Sequence, residues 1–414
     1  MHVLMVSEYF PPHAKGGGEL SALALAQALV RQKVKVSVLT SQFSGDKEQE
    51  TLQGVTVYRR LSTGMNPDSL STNFKRLFIT SSIKSQLPQL IDTLKPDVLH
   101  ALSITSMPGV AAVARKKRVP AIAHVNSPLA FDPKGTLLDN GKERTEPYTF
   151  GAYVASFMHS DSLGRMGNAW YLRYNPVFWT VQYRRWAAIR NSFSSFQHFF
   201  PISTAMQHWL HKYGVPQLKT TVLPNIVPVP ALKTPKNRVP VLLYLGGYVR
   251  VKGLQVVLDA LKNVKESYKL ECVGNGNEKA LLAMQAKQNG VSAHFHDFRS
   301  QEDEILRLQV SDVLLFPSLI PEGLGRVALI AMAAGKPVIA SRIGGITDSV
   351  VDGKTGYLIE PGNVAAWKSA IRDLLTDKKK RESFGKAGRE RFVKEFSEAS
   401  IVKKALEAYH EVTA

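Results

Sequence analysis

Glu322, Gly323 and Gly325 stand together in the stretch PSLIPEGLGRVALIAMAAGKPVI, residues 317–339, and their spacing has chemical content. The apolar run just before it, Asp312 to Phe316, reads as a buried parallel strand. A glycine-bearing loop follows, and then helical composition from Arg326 to Ala334, stopped by Gly335 and Pro337. A strand, a glycine turn and a helix in this order bring backbone N–H groups to a helix N-terminus, a place that receives anions, phosphate included. Gly323 and Gly325 let a ligand approach the main chain closely. Glu322 would offer a carboxylate to hydroxyls in the same pocket. Spacing alone leaves a second reading open, in which the glycines serve only the geometry of a βαβ turn.

The elements that position this stretch alternate along most of the chain. Val3–Ser7, Val34–Thr40, Val55–Leu61, Asp97–His100 and Ala121–Val125 read as strands. Helices at Glu19–Gln32, Lys75–Leu94 and Ser106–Lys117 separate most of them. That rhythm predicts a parallel sheet covered on both faces, with ligands outside the carboxyl ends of its strands. Gly16, Gly17 and Gly18 follow the first strand, and His124 ends the strand before Asn126-Ser127-Pro128, so both loops are expected to line that crevice. Pro201–Asn225 returns to pattern, with a strand expected at Lys219–Leu223. Val227–Asn237 reads as a linker, and a second alternating set runs from Val241 to Ile359 before a charged helical end.

With 414 residues the chain is long enough for two full cores. No apolar run reaches the roughly 18 residues of a membrane span. Met1–Ser7 has no basic leader and reads as a first strand. A single cysteine, Cys272, excludes an internal disulfide framework and points to a reducing cytoplasm. The net charge of +19 calls for anionic partners. No nucleic-acid signature accompanies it, which leaves diphosphate substrates and an anionic membrane surface.

Residues 132–200 break the rhythm. Arg165, Arg173, Arg184, Arg185 and Arg190 occur there with no acidic residue between the first and the last, interleaved with Trp170, Tyr171, Tyr174, Phe178, Trp179, Tyr183 and Trp186. Such a mixture suits a headgroup-level membrane contact or a groove for a lipid-linked acceptor. It equally suits a helical layer packed on the first domain with its arginines on the wet face.

E-G-x-G-x-x-x-L followed by A-M-A-A-G-x-P-V resembles the donor-sugar loop of the retaining family 4 glycosyltransferases, and the resemblance extends over nearly the whole chain outside the aromatic insertion. YFPPHAKGGGE resembles their acceptor loop, AHVNSP the strand end bearing His124, LGGYVRVKG the diphosphate-binding turn, and GGITDSVVDGKTGYLIEPGN the run closing the second domain. The resemblance implies an α/β fold of the GT-B class, two Rossmann-like doubly wound domains facing a central cleft. The expected domains are residues 1–225 for the acceptor, 226–392 for the nucleotide sugar, and a terminal helix at 393–414 crossing back onto the first domain. It implies a hexose moved from a nucleotide-diphosphate sugar to a hydroxyl acceptor with retention, in polysaccharide or lipid-linked glycan assembly. No metal and no cofactor is implied, and the place is the cytoplasm or the inner face of its membrane. Glu322, Lys252 and His124 fall on catalytic positions. Gly17, Gly18, Arg250, Arg299, Gly323, Leu324, Gly325 and Arg326 fall on substrate-binding ones. Lys252, before Gly253 in a strand-to-helix turn, would neutralise the diphosphate.

Two departures stand out. The place eight residues after Glu322, where the family usually has a second glutamate for the ribose hydroxyls, is Ile330, and the usual arginine of the diphosphate turn is matched by Gly247. A nucleotide-sugar epimerase of the same fold is one alternative, and a non-catalytic sugar-nucleotide-binding scaffold, which these departures favour, is another.

Overall fold

The computed structural model describes residues 1–14, 16–63, 78–132, 135, 137–139, 142–144, 146–159, 175–232 and 239–414. The first sheet is built from β1 (His2–Val6), β2 (Lys35–Gln42), β3 (Gln49–Leu52), β4 (Val55–Ser62), β5 (Val98–Ala101), β6 (Ala121–Val125) and, after a small hairpin of β7 (Leu138–Asp139) and β8 (Lys142–Glu143), β9 (His198–Pro201). Its order is β3-β4-β2-β1-β5-β6-β9, parallel except for the β3 edge. The second sheet is wholly parallel, in the order β12-β11-β10-β13-β14-β15. Its members are β10 (Val241–Leu245), β11 (Lys269–Val273), β12 (Ala293–His296), β13 (Val313–Phe316), β14 (Val338–Ser341) and β15 (Gly356–Ile359). Central strands such as β1 (HVLMV) and β13 (VLLF) are buried along their whole length, which is why they read as continuous apolar runs rather than alternations.

Helices cover both faces of each sheet. On the first lie α1 (Gly17–Arg31), α2 (Ile79–Leu94) and α3 (Met107–Lys117), followed by α4 (Phe150–His159), α5 (Pro176–Asn191) and α6 (Thr204–Lys212). On the second lie α7 (Leu254–Ala260), α8 (Lys279–Gln288), α9 (Gln301–Val310), α10 (Arg326–Ala333), α11 (Ile346–Ser349), α12 (Val364–Thr376) and α13 (Lys378–Arg391). A π-turn at Phe392–Phe396 ends α13 and leads into α14 (Glu398–Thr413). Ile401, Val402, Ala405 and Tyr409 of α14 share a core cluster with Val3 and Phe200 of the first sheet, so the last helix packs on the first domain.

Two sequence expectations are revised. The strand expected at Lys219–Leu223 is a 3₁₀ turn at Gln217–Lys219 and then an extended segment held to β9 by Thr221 N–H to Phe199 O (3.0 Å) and Leu223 N–H to Pro201 O (2.8 Å). Pro216 and Pro224, which lack an N–H, bracket the segment and keep the ladder short. The antiparallel edge strand β3 has no alternating apolar pattern and was not expected.

The aromatic insertion divides. Arg165, Trp170, Tyr171, Arg173 and Tyr174 lie outside the described residues. Of the rest, Trp186 packs with Tyr148 and Tyr153 in a small core of its own, with Trp179 and Tyr183 against it. Arg144 stacks over Tyr148 at 3.6 Å and Arg190 over Tyr213 at 5.3 Å. No described helix is long and apolar enough to cross a membrane.

Candidate active site

The order of the second sheet reverses between β10 and β13, and the cleft opens there, at the strands' carboxyl ends. Gly246 and Gly247 follow β10. Tyr244 Oη donates to Gly247 O at 2.8 Å, fixing the turn. The 3₁₀ turn Arg250–Lys252 comes next and is stopped by Gly253 at φ +76°. A Cβ at Gly253 would lie 1.9 Å from Pro317 O, so no side chain fits and the two loops touch through their backbones. Pro317 follows β13 and begins the loop that carries Glu322. Gly325, at φ +82°, is the N-cap of α10, whose first N–H groups have no intrahelical partner.

This packing brings Lys252 and Glu322 together. Lys252 Nζ is 2.5 Å from Glu322 Oε1, and Ser318 Oγ donates to the same oxygen at 2.8 Å. Both charged side chains are partly accessible, 28% for Lys252 and 18% for Glu322. An ammonium, a carboxylate whose second oxygen has no partner among the described residues and the N-terminus of α10 therefore share one space. Such groups have the chemistry to meet an oxyanion and a hydroxyl at once.

The cleft has two adjoining lobes. One, about 330 Å³, is lined by Gly17, Gly18, Lys252 and Glu322 through Arg326, with Asn126 and Asn225 on the facing wall. The other, about 410 Å³, runs past Gly246 and Gly247 to Asn275, Phe298 and Glu304. Gly17 and Arg326 border both. Arg326 reaches across from α10, and a Cβ at Gly17 would lie 2.5 Å from its Cδ. A side chain at that point of the first domain would therefore have to push Arg326 aside.

Eight of the residues singled out in the sequence meet in the smaller lobe: Gly17, Gly18, Lys252, Glu322, Gly323, Leu324, Gly325 and Arg326. Three others lie elsewhere. The side chains of Arg250 and Arg299 are exposed and line neither lobe, although Phe298 and Gln301 beside Arg299 do. His124 lies behind the cleft, in a cavity of about 10 Å³ that shares Gly18, Asn126 and Asn225 with it. Its ring stacks on His100 at 5.6 Å, and burial lowers its pKa to about 4, so it is neutral at pH 7. His100 is lowered well below the usual histidine range, first by burial and then by His124, and its Nδ1 meets Tyr409 Oη at 2.7 Å. Ile330 is fully buried in the core behind α10.

Sequence reasoning missed Ser318, Asn225 and Glu304. Glu304 had a legible signal, since it lies four residues before Leu308, on the buried face of α9. A carboxylate there needs a partner, and Arg326 Nη1 supplies it at 3.0 Å.

Residues 15–229 match the profile of Glycosyltransferase Family 4, and residues 232–391 match Glycosyl transferases group 1. The chain belongs to glycosyltransferase family 4. Among curated relatives, this family 4 chain is 35% identical over 161 residues to a GDP-mannose-dependent alpha-(1-6)-phosphatidylinositol monomannoside mannosyltransferase of Mycolicibacterium smegmatis, covering 36% of this chain and 42% of that protein. It is 30% identical over 178 residues to the N-acetyl-alpha-D-glucosaminyl L-malate synthase of Bacillus anthracis, covering 42% and 45%. The matches span less than half the length of these relatives. Over 99% of this chain and 98% of the other, the fold matches sucrose-phosphate synthase from Thermosynechococcus elongatus with a TM-score of 0.75 at 18% identity. Anabaena HepE in complex with UDP-glucose matches over 99% of this chain and 100% of its own with a TM-score of 0.69 at 18% identity. These likenesses show the GT-B fold.

Proposed function

We propose that this glycosyltransferase moves a hexose from a nucleotide-diphosphate sugar to a hydroxyl acceptor, with retention at the anomeric carbon and without a metal ion. The observation that carries the reading is the Lys252–Glu322 contact at the N-terminus of α10, in a lobe walled by glycines. The acceptor oxygen bonds to the anomeric carbon as the bond from that carbon to the diphosphate oxygen breaks. The departing phosphate takes the acceptor's proton. Lys252, the free N–H groups of α10 and Arg326 stabilise the charge that develops on the leaving group, the work a cation does elsewhere. Glu322 accepts from donor-sugar hydroxyls through its uncommitted oxygen. Asn126 and Asn225 on the opposite wall face the side from which an acceptor would enter.

One curated relative named as GDP-mannose-dependent and one structural neighbour solved with UDP-glucose make guanosine and uridine donors the first to test. The acceptor belongs to polysaccharide or lipid-linked glycan assembly at the inner face of a membrane. The test is a panel of UDP, GDP, ADP, dTDP and their sugars scored by thermal stabilisation, followed by product analysis in the presence of a chelator. A ligand at 100 times its dissociation constant stabilises by about 2.7 kcal/mol, enough to shift the midpoint visibly. A flat panel, product of inverted configuration, or activity lost to the chelator each overturns the corresponding part of the reading.

A further inference from the structure

The first domain carries, away from the cleft, a basic groove that the transfer step does not use. Two cavities of about 460 and 480 Å³ lie side by side there. Arg115 and Arg118 line the first, Arg190 and Lys219 the second, and Ser194 belongs to both. Pro120 and Gln197, just before β6 and β9, also line the first cavity. The groove therefore opens at the amino ends of strands whose carboxyl ends meet the cleft through Asn126 and Ile202. No aspartate or glutamate lines either cavity. The sequence has none between Asp97 and Asp132 or between Asp161 and Asp259, and every lining residue falls in one of those runs. Among the described residues the exposed Arg115, Arg118 and Lys219 have no carboxylate partner, and Arg190 lies over the Tyr213 ring. Helix ends explain part of this charge. The helices α3, α5 and α6 all end at the groove, and cations complement the negative ends of their dipoles. Each end carries about half a charge, so together they offset roughly one and a half of the four positive charges. The rest is unanswered within the groove.

We infer that this groove binds an extended acidic segment of a partner protein, laid across Ser194 with a carboxylate in each cavity. Carboxylates answer the cations in charge and in hydrogen bonding. The last carbonyls of a helix lack intrahelical partners and accept N–H donors. A peptide backbone supplies such donors in a row beside its acidic side chains. A phosphate surface, of lipid or of nucleic acid, offers acceptors for the cations but no such row. Phe193 and Val215 in the lining of the second cavity, and Leu218, 90% exposed beside Lys219, receive apolar side chains between the acidic ones. A membrane at this end would also turn the cleft away from acceptors held in it. A protein segment bound here tethers the chain and leaves the cleft open.

Fluorescence anisotropy of the full chain with a short dye-labelled peptide of alternating glutamate and leucine, and with its lysine counterpart, tests this. The acidic peptide should bind at low salt and weaken as salt rises, and the lysine peptide should not bind. Arg115→Glu combined with Arg118→Glu should weaken binding about tenfold or more, and Lys219→Glu, in the other cavity, about three- to tenfold. All three side chains are exposed, so unfolding midpoints should stay near wild type. Lys265→Glu combined with Lys287→Glu makes the same charge change at exposed sites on the second domain and should leave binding within about twofold. Equal weakening by that control would mean that the peptide senses only the net charge, and overturns the site. No binding of the acidic peptide, or a loss confined to one cavity, overturns a segment spanning both. Phosphatidylglycerol vesicles bound through Arg115 and Arg118 while the peptide is ignored would give the groove to a membrane and overturn the proposal. Each of these outcomes leaves the transferase reading untouched, because no residue of the groove lines the cleft.

Discussion

The two walls of the cleft are built on different principles. The second domain presents charge: Lys252, Glu322 and Arg326 are side chains held by ion pairs at strand and helix ends. The first domain presents backbone and amides, namely Gly17, Gly18, Asn126 and Asn225, and sets a titratable group, His124, in a cavity behind them. A wall that must stabilise a departing diphosphate needs fixed charges. A wall that must admit an acceptor beside a reactive sugar needs room and neutral polarity. The division implies that substitutions on the charged wall will change turnover, whereas those on the neutral wall will change fit and stability.

The sharpest way to break that contrast is at the Lys252–Glu322 contact. Lys252→Ala and Glu322→Ala should each lower kcat by about a hundred- to a thousandfold, the cost of losing a group aimed at developing charge. Midpoints of thermal unfolding should move little, because a partly exposed pair contributes about 1 kcal/mol or less. Turnover near wild type in either variant would remove the charged wall from the mechanism.

His124 tests the neutral wall through pH. Its folded pKa of about 4 lies below the unfolded value near 6.5, so the unfolded chain binds the extra proton first. The stability it contributes is complete above pH 6.5 and is lost as pH falls towards 4, about 3 kcal/mol for this group alone. Urea midpoints measured across that window should fall in wild type and fall less in His124→Phe, which keeps a ring against His100 and Phe200 but cannot titrate. Identical slopes in the two proteins would mean that His124 is not buried neutral.

The same contrast explains what the sequence disclosed. Strand runs such as VLLYL at β10 and the glycine turns after them are local signals, and the charged wall is made of residues adjacent to those turns. Lys252 and Glu322 could be named because each sits one residue from a glycine that the turn requires. Their contact is a tertiary fact, made where Gly253 meets Pro317, 64 residues apart in sequence, and nothing local encodes it. Arg250 shares the Lys252 turn yet points to solvent, since a 3₁₀ turn sends side chains two apart in different directions. Ser318 was invisible because one hydroxyl in a loop has no distinguishing pattern. The aromatic insertion carried composition without periodicity, and its described half proves to be a satellite core.

Where the walls touch, the effects should be intermediate. Gly17→Ala adds a methyl 2.5 Å from Arg326 Cδ, and the flexible side chain must move. Donor affinity should fall roughly tenfold with little change in stability, because misplacing one positioning group by about an ångström is costly even when nothing unfolds. Calorimetric titration of the best donor nucleotide decides it. Wild-type affinity would show that Arg326 tolerates displacement and does not position the ligand.

The smallest effect is expected at the rim, where the walls are latched rather than catalytic. Asp348, on α11 of the second domain, accepts from Thr204 N–H at 2.6 Å and from Thr204 Oγ1 at 2.5 Å, at the first residue of α6 in the first domain. A carboxylate at a helix N-terminus is favoured by the unsatisfied N–H groups and the helix dipole, by about 0.3–1 kcal/mol when accessible. Gly345 beside it has Ser203 so close that a Cβ would lie 2.8 Å from the serine Cβ, so the two domains meet here with no room to spare. Asp348→Ala should therefore loosen the closed arrangement without touching any group that meets the donor. The radius of gyration in solution should rise slightly, and kcat/KM should fall by no more than about fivefold, a population shift of about 1 kcal/mol. A larger loss would mean that Asp348 does more than hold the rim. An unchanged radius together with unchanged kinetics would place closure entirely in the contacts around Gly323, whose missing Cβ lets Ile202 approach from the facing wall.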